Sequence, residues 1–240
     1  MSDQGRGATL AVSAVISLLA VLLSADVVLI ALHLTKPYFD ALRPHHFSLE
    51  ADRGIAEYCQ YTKQAIVVLA MLWCWTRTKI ATFAIWGVFF ALMLYDDSHS
   101  LHERVGEELA AAWTLPAVVG LRPQDVGELL FAGAVGVLTI SFLLAVNVFE
   151  RGAARVHTLN VVLLLAALAV CGVLVDAIHV IAYFSGSRFS WVLAVLEDGG
   201  ELIVMTLITI YACRLAAYGL RAEPPLPLDA GRLLFAGSRG

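Results

Sequence analysis

Long apolar stretches dominate the chain, and short polar segments separate them. A helix that spans a bilayer needs about 20 mostly apolar residues. Six segments reach or approach that length, at roughly 8–34, 61–76, 79–97, 127–149, 157–184 and 190–217. This pattern predicts an all-α fold, a polytopic transmembrane helical bundle with six spanning helices that form a single domain over residues 1–222.

The ends of these segments give further detail. The first apolar stretch is far longer than the apolar region of a signal peptide, so we expect it to be an uncleaved spanning helix. The short basic turn at residues 76–79 predicts a hairpin between the second and third helices. The second helix is short unless it begins near Arg53, and the third is expected to continue as a polar helix through Glu108.

The distribution of basic residues predicts the orientation, because cytoplasmic loops carry an excess of Lys and Arg. The turn with Arg77 and Lys79 and the turn with Arg151 and Arg155 lie on the same side of a six-helix bundle. The Pro-rich tail at residues 223–240 also carries arginines and is predicted to be flexible and cytoplasmic. We therefore expect a multi-pass protein of the inner (plasma) membrane with both termini in the cytoplasm.

Composition excludes several classes of protein. The 240-residue chain is 60% hydrophobic and only 15% charged, with a formal net charge of -4. A soluble domain is closer to half apolar and a quarter charged. No basic block suggests nucleic-acid binding, so the lipid bilayer is the expected surrounding. The four cysteines show no metal-like spacing and predict no disulfide framework.

Acidic residues inside the apolar segments require an explanation, since charges in a bilayer are costly and often functional. Helix rise places Asp26 roughly 30 Å above Arg6 and Asp96 roughly 25 Å above Lys79. By the same measure Asp176 lies roughly 31 Å above Arg155, and Glu201 roughly 20 Å above Arg214. Four helices thus present carboxylates at a similar height, in the outer part of the bundle.

Histidines accompany these acids at helical spacing. Residues three apart share a helix face, so Asp96/His99 and Asp176/His179 are predicted to be carboxylate–imidazole pairs. On the last helix Glu197 and Glu201 share a face by the same rule. The intervening Gly199 and Gly200 predict close approach of a neighbouring helix.

This arrangement resembles the four-helix carboxylate di-metal site, in which two helices each give Glu-x-x-His and two others each give one Glu. Asp96/His99 and Asp176/His179 match the paired positions, with Asp in place of Glu. Glu201 (or Glu197) and Asp26 match the single positions. The resemblance implies a metal centre and rests on few positions.

A second pattern runs from the third helix to the sixth. It resembles a signature of uncharacterised prokaryotic multispanning membrane proteins, in which an acidic pair is followed by His-Glu and later by an acidic cluster. Here these are Asp96-Asp97, His102-Glu103, and Glu197-Asp198 with Glu201. This resemblance implies that these residues matter but brings no known activity. It favours His102 and Glu103 over His99 as partners of the acidic pair.

The leading hypothesis is a divalent-metal centre in the outer half of the bundle, since imidazole and carboxylate together suit Zn, Fe or Mn. Such a centre supports metal-dependent hydrolysis or oxidation. No catalytic residue is identified, and no organic cofactor is expected. The candidate metal ligands are Asp26, Asp96, His99, His102, Glu103, Asp176, His179, Glu197 and Glu201.

Two alternatives stay open. An ion or proton transporter needs polar residues that continue to the cytoplasmic face, yet the inner halves of the helices are strongly apolar apart from Asn147 and Asn160. A non-catalytic subunit or assembly factor would use the polar cluster as structural contacts or as a docking patch for a membrane or periplasmic partner. His33 is expected at the interface, His45 and His46 in solvent, and His157 on the cytoplasmic surface.

Overall fold

The computed structural model describes residues 3–38, 45–147 and 153–219. In these ranges the fold is all-helical and contains no strand beyond an isolated bridge between Val118 and Leu121. The predicted tail at 223–240 and the basic residue Arg151 lie outside them. The helices are α1 (Asp3–Thr35), α2 (Ile55–Thr78), α3 (Ala81–His99), α4 (Leu101–Trp113), α5 (Pro123–Asn147), α6 (Ala153–Ala169), α7 (Asp176–Phe184) and α8 (Ser190–Tyr218).

Three helices are long and apolar enough to cross a membrane: Ser13–Thr35 in α1, Pro123–Val146 in α5, and the continuous run Ala154–Phe184 through α6 and α7. Very little of each is buried inside the protein. This supports the membrane class predicted from the sequence. The sequence predicts six spans, and by length and composition these three of the described helices qualify.

The α2–α3 hairpin forms where the short basic turn predicts it. The α2 helix begins at Ile55, which gives it the length that the apolar segment alone lacks. It ends at Thr78, and the following Lys79 adopts the left-handed conformation with φ of 59° and donates its backbone N–H to the carbonyl of Trp75. The chain then reverses directly into α3.

The bundle core forms around α8, which packs against α1, α2, α6 and α7. Its side chains Met205, Ile208 and Ala212 are almost fully buried. They join Met71 of α2 and Phe90 of α3 in one apolar cluster. The α8 helix, which carries several acids, therefore lies at the centre, and the three most apolar helices are largely exposed.

The third helix does not continue through Glu108, contrary to the prediction. It ends at His99, and Ser100 takes the left-handed conformation with φ of 48° before α4 begins. The α4 helix instead crosses α5, where Gly106 and Gly127 meet. A Cβ atom at Gly127 would lie 2.2 Å from the carbonyl oxygen of Gly106, so only glycine permits this crossing.

A π-helical turn, Val170–Val175, separates α6 from α7. Such turns are rare in helices, and those that occur are often found at functional sites. Gly172 lies in this turn and faces α8. A Cβ atom at Gly172 would lie 1.7 Å from a carboxylate oxygen of Glu201. The turn thereby brings the backbone of this helix against an acidic residue of α8.

Candidate cation site

A cavity of about 1,320 Å³ lies between α2, α3, α5, α6, α7 and α8. One end of it is strongly acidic. Among the described residues that line it, Arg122 is the one Lys or Arg, and two histidines, His102 and His179, are present. The lining carboxylates are Glu50, Asp52, Glu57, Asp96, Asp97, Glu103, Asp125, Glu128, Asp176, Glu197, Asp198 and Glu201.

Glu197 connects the acidic residues of one wall. His179 Nδ1 lies 2.7 Å from Glu197 Oε2, and both side chains are mostly buried. The carboxyl group of Asp176 is also within hydrogen-bonding reach of Glu197. A hydrogen bond between two carboxyl groups needs a shared proton, and a bound cation can take the place of that proton. The predicted Asp176/His179 pair is thus joined by the predicted acid of α8.

Glu201 lies one turn further along α8, against the π-helical turn. Its carboxylate fills the space beside Gly172. Gly200 faces the same turn, and a Cβ atom there would lie 2.7 Å from the sulfur of Cys171. Gly199 faces Ile30 of α1. The two glycines allow the close helix contacts that the sequence predicts, Gly199 with α1 and Gly200 with the π-helical turn.

The opposite wall pairs Asp96 with His102, not with His99. Asp96 Oδ1 accepts the backbone N–H of His102 at 2.7 Å and lies 3.0 Å from its Nδ1. The hydrogen bond with Asp96 raises the pKa of His102 to about 9. Glu103 follows on α4, where it is exposed and lines the rim of the cavity.

The predicted Asp96/His99 pair does not form. The exposed imidazole of His99 stacks on Tyr95, with ring centroids 4.4 Å apart, and contacts the Tyr95 carbonyl oxygen. The reason is the break at Ser100, which turns the chain so that the first turn of α4 returns to Asp96. His99 is not among the residues that line the cavity.

Amide side chains of α2 also line the acidic end. Gln64 donates to the carboxylate of Asp97, and Tyr61 donates its hydroxyl to the Asp97 carbonyl oxygen at 2.9 Å. The side-chain oxygens of Gln60 and Gln64 are buried without a hydrogen-bond partner among the described residues. Two buried acceptors therefore accompany the carboxylates of this cavity.

The start of α5 contributes further polar lining to the cavity. Arg122 Nη2 donates to Asp125 Oδ1 at 2.6 Å, and Gln124 donates to Glu128 at 2.9 Å. The guanidinium group of Arg122 also lies over the ring of Phe184, 5.7 Å from its centroid. Among the described residues that line the cavity, the single Arg or Lys, Arg122, is thus already paired with a carboxylate.

Asp26, the remaining predicted ligand, lies outside this cavity. Lys63 of α2 contacts its carboxylate, and Thr206 of α8 donates to it at 2.6 Å. Lys63 also donates to the carbonyl oxygen of Leu202 at 2.9 Å. Asp26 and Lys63 are both almost completely buried. The structure therefore places Asp26 in a closed ion pair that joins α1, α2 and α8.

A second buried polar cluster lies at the predicted cytoplasmic end. His157 is 4% exposed and its Nδ1 lies 2.7 Å from the hydroxyl of Tyr211, which accepts a hydrogen bond from Asn160 at 3.0 Å. The expectation of a surface position for His157 is therefore wrong. Burial against α8 explains the difference, because a side chain near a helix start is covered when the neighbouring helix extends past it.

His33 has a structural role in the last turn of α1. Its Nδ1 accepts the backbone N–H of Leu49 at 3.1 Å and lies 3.3 Å from the hydroxyl of Ser48. These contacts attach the segment before α2 to α1. The ring of His46 lies near Phe47, while the environment of the His45 side chain lies outside the described residues.

The comparisons with known proteins give one family. A model described as a domain of unknown function, DUF8692, matches residues 8–215. The chain belongs to the DUF8692 family. No curated protein and no solved structure matches it. The matched range contains every predicted ligand, from Asp26 to Glu201.

The donor set of this DUF8692 chain suits a cation by chemistry, since carboxylate and imidazole are common ligands of divalent metals. In the described part of the chain, however, no group of three or more His, Cys, Asp or Glu side chains has the arrangement that would hold a metal ion. The side chains instead form the chain Asp176–Glu197–His179 and the pair Asp96–His102. Any metal would therefore require side-chain rotation at these positions.

Sequence reasoning missed Lys63, Gln64 and Arg122 in this DUF8692 chain. The signal for Lys63 was present, because a single Lys in an apolar helix requires a buried partner. For Gln64 the signal was its position directly after Lys63 in α2, the helix that faces the acidic pair of α3. Arg122 precedes the helix-starting Pro123 and carries Asp125 three residues later, a spacing that predicts the observed pair.

Proposed function

We propose that this protein is a multispanning membrane protein that binds a divalent metal ion, Zn, Fe or Mn, at the acidic end of its cavity. The ligands we propose are Asp176, His179, Glu197 and Glu201. The observation that carries the proposal is the 2.7 Å contact between His179 and Glu197 at one end of a cavity lined by twelve described carboxylates.

Electrostatics support a cation. Carboxylates within a few ångströms of one another repel, and removal from water increases the cost. The lining guanidinium group belongs to Arg122, which is already paired with Asp125. A divalent cation would offset this excess of negative charge. When bound, such an ion activates water or oxygen, so hydrolysis and oxidation are the reaction classes that we consider.

Metal analysis of the purified protein tests this proposal. We expect the protein in lipid nanodiscs to retain close to one equivalent of metal after dialysis. The His179→Gln/Glu197→Gln variant should lose it. Glu107→Gln/Glu108→Gln is the matched control, because these acids are exposed on α4 and do not line the cavity. A folded wild-type protein that retains no Zn, Fe or Mn after dialysis in nanodiscs would overturn the proposal.

We further propose that α2, α3 and α8 also cross the membrane, which gives six spans with both termini in the cytoplasm of a plasma-membrane protein. At about 1.5 Å per residue, the 24-residue α2 and the 29-residue α8 exceed a hydrocarbon core about 30 Å thick. Of their charged residues, Lys63 of α2 is buried against Asp26 of α1. The α8 helix packs along α1 and α6, two of the apolar helices.

Cysteine labelling distinguishes six spans from three. In a chain whose native cysteines are replaced by alanine, single cysteines are placed in the α2–α3 turn (Thr76→Cys) and in the α7–α8 turn (Ser185→Cys). With six spans a membrane-impermeant maleimide labels Ser185→Cys on intact cells, and labels Thr76→Cys only after the membrane is opened. With three spans both positions lie on the same side, so equal labelling of intact cells would refute six.

One observation favours proton transfer as a second candidate function. Buried polar clusters follow one another along α8: Glu201 at the acidic cavity, Thr206 in the Asp26–Lys63 pair, and Tyr211 with His157. Chains of this kind serve as proton relays in membranes. A pH-sensitive dye in proteoliposomes should report a proton flux that falls in Tyr211→Phe. Flux no greater than in protein-free vesicles would exclude this function.

A further inference from the structure

The cavity does not end at its acidic residues. Its lining continues along one face of α5 from Asp125 to Leu143, a distance of about 27 Å at 1.5 Å per residue. This length approaches the full thickness of a hydrocarbon core, about 30 Å. The carboxylates occupy only one end, and beyond Glu128 no charged residue of α5 lines the cavity. We call the remainder, from Leu129 to Leu143 of α5 and the helices facing it, the apolar arm.

Three helices line the apolar arm: α3, α5 and the continuous α6–α7 helix. Along each of them the lining residues change from acidic to apolar. On α3 the change falls between Asp96 and Met93, and on the α6–α7 helix between Asp176 and Val173. The residues that line the arm below these levels include Phe89, Leu92, Ala132, Val135, Leu165 and Leu168. The cavity therefore has the polarity of an amphiphile, with one polar end and one long apolar portion.

The apolar arm opens sideways. Ile140 of α5 and Val162 of α6 both line it, yet they are 54% and 36% exposed. A Cβ atom at Gly136, which also lines the arm, would meet nothing within 4 Å. Both helices are among the three that are apolar enough to cross a membrane. In a bilayer the opening would therefore face lipid chains.

A metal ion does not account for a cavity of this size and polarity. The cavity exceeds the roughly 300–1,000 Å³ of ordinary small-molecule sites. An apolar cavity is a poor site for water and is readily filled by apolar molecules. A hydrocarbon chain is the apolar molecule present at the highest concentration beside the opening.

We propose that the cavity binds a long-chain amphiphile with an anionic oxygen headgroup, such as a phosphate ester. Its chain lies in the apolar arm, and its headgroup reaches the acidic end. The placement of the headgroup rests on the proposed metal function, because an anionic group approaches these carboxylates only through a bound cation. Hard and borderline divalent cations accept phosphate and carboxylate oxygens as ligands. The placement of the chain rests on the apolar arm alone.

Photolabelling tests both parts. The probe is hexadecyl phosphate with a diazirine near the end of its chain, added to the protein in phosphatidylcholine nanodiscs with and without Zn²⁺ or Mn²⁺. We expect labelled peptides from α5 around Val135 and Thr139 and from α6 around Leu165, with labelling at least several-fold stronger when the cation is present. Gly136→Trp, which fills the arm, should reduce this labelling to background.

Gly133→Trp is the matched control, since Gly133 is exposed on the same helix and does not line the cavity. It should label like the wild type. Labelling that is equal in the two variants, or confined to outward-facing residues of α5, would overturn the proposal. If the apolar arm is labelled equally with and without the cation, the arm does bind the hydrocarbon chain but the proposed metal function is contradicted. If the protein binds metal but the apolar arm is not labelled, the metal function is retained and the chain site is overturned.

Discussion

The ammonium group of Lys63 contacts the carboxylate of Asp26 at a point where neither side chain meets solvent. The two residues are 37 positions apart and belong to α1 and α2. Thr206 and the carbonyl oxygen of Leu202 complete the surroundings of the pair, so α8 is held by the same contacts. Three helices thus meet at one buried charge pair, which lies apart from the acidic cavity.

We predict that Lys63→Met and Asp26→Leu each destabilise the protein by about 3–5 kcal/mol, because each leaves one charge buried without its partner. The double variant should be clearly more stable than the sum of the two single effects, since it leaves no unpaired charge. Thermal unfolding in a mild detergent measures the three variants. Strict additivity, or a stable single variant, would show that the pair has no such role.

We predict that Gly127→Ala destabilises the protein by about 1–3 kcal/mol, the usual effect of forcing an additional group into a closed contact. Its Cβ atom would lie 2.2 Å from the carbonyl oxygen of Gly106 and would separate α4 from α5. Gly133→Ala is the control, because nothing lies within 4 Å of its Cβ atom. That variant should be neutral or slightly stabilising, since alanine favours helix over glycine by about 0.5–1 kcal/mol. Equal melting temperatures for the two variants would contradict the close crossing.

The long apolar helices were predictable from the sequence because apolar runs of sufficient length fix them almost alone. The link between α7 and α8 was also predictable in part. Asp176 and His179 share a face by spacing, and Gly199 and Gly200 indicate the close approach that brings Glu197 to them. Helical spacing predicts a contact when the two residues lie close together on one helix, and a glycine indicates where a second helix can approach closely.

Other features depend on information that spacing does not contain. Asp96 pairs with His102 because Ser100 takes a left-handed conformation, and this residue type gives no strong signal for such a break. The pairing of Asp26 with Lys63 depends on the rotation of two helices about their axes. That rotation is fixed by packing over the whole bundle, so the sequence grouped Asp26 with the wrong partners.

We predict that the Asp96–His102 contact weakens at alkaline pH. The pKa of His102 is raised from about 6.5 to about 9, chiefly by its hydrogen bond with Asp96, and Glu128 and Glu103 act in the same direction. A raised pKa means that the folded state binds the proton more tightly than the unfolded state. The stabilisation is therefore complete below pH 6.5 and is lost as the pH rises through about 9. The effect is modest because His102 is partly exposed to solvent.

Melting temperatures measured in EDTA between pH 6 and pH 10 check this prediction. The wild type should lose stability across the upper part of that range. His102→Gln should lack the portion of the loss that comes from this contact. His99→Gln is the control, because His99 is exposed and does not contact Asp96. A pH profile that is unchanged by His102→Gln would contradict the assignment.

We predict that Gly172→Ala weakens metal binding without a change to any proposed ligand. The new Cβ atom would lie 1.7 Å from Oε1 of Glu201, so the carboxylate must leave its position against the π-helical turn. Changes that reorient a ligand typically reduce metal affinity by about 10–100-fold. Competition against a chromophoric chelator measures the affinity, with Gly133→Ala as the control that touches nothing. Unchanged affinity in a folded Gly172→Ala protein would remove Glu201 from the proposed ligand set, since its displacement would then have no effect on the ion.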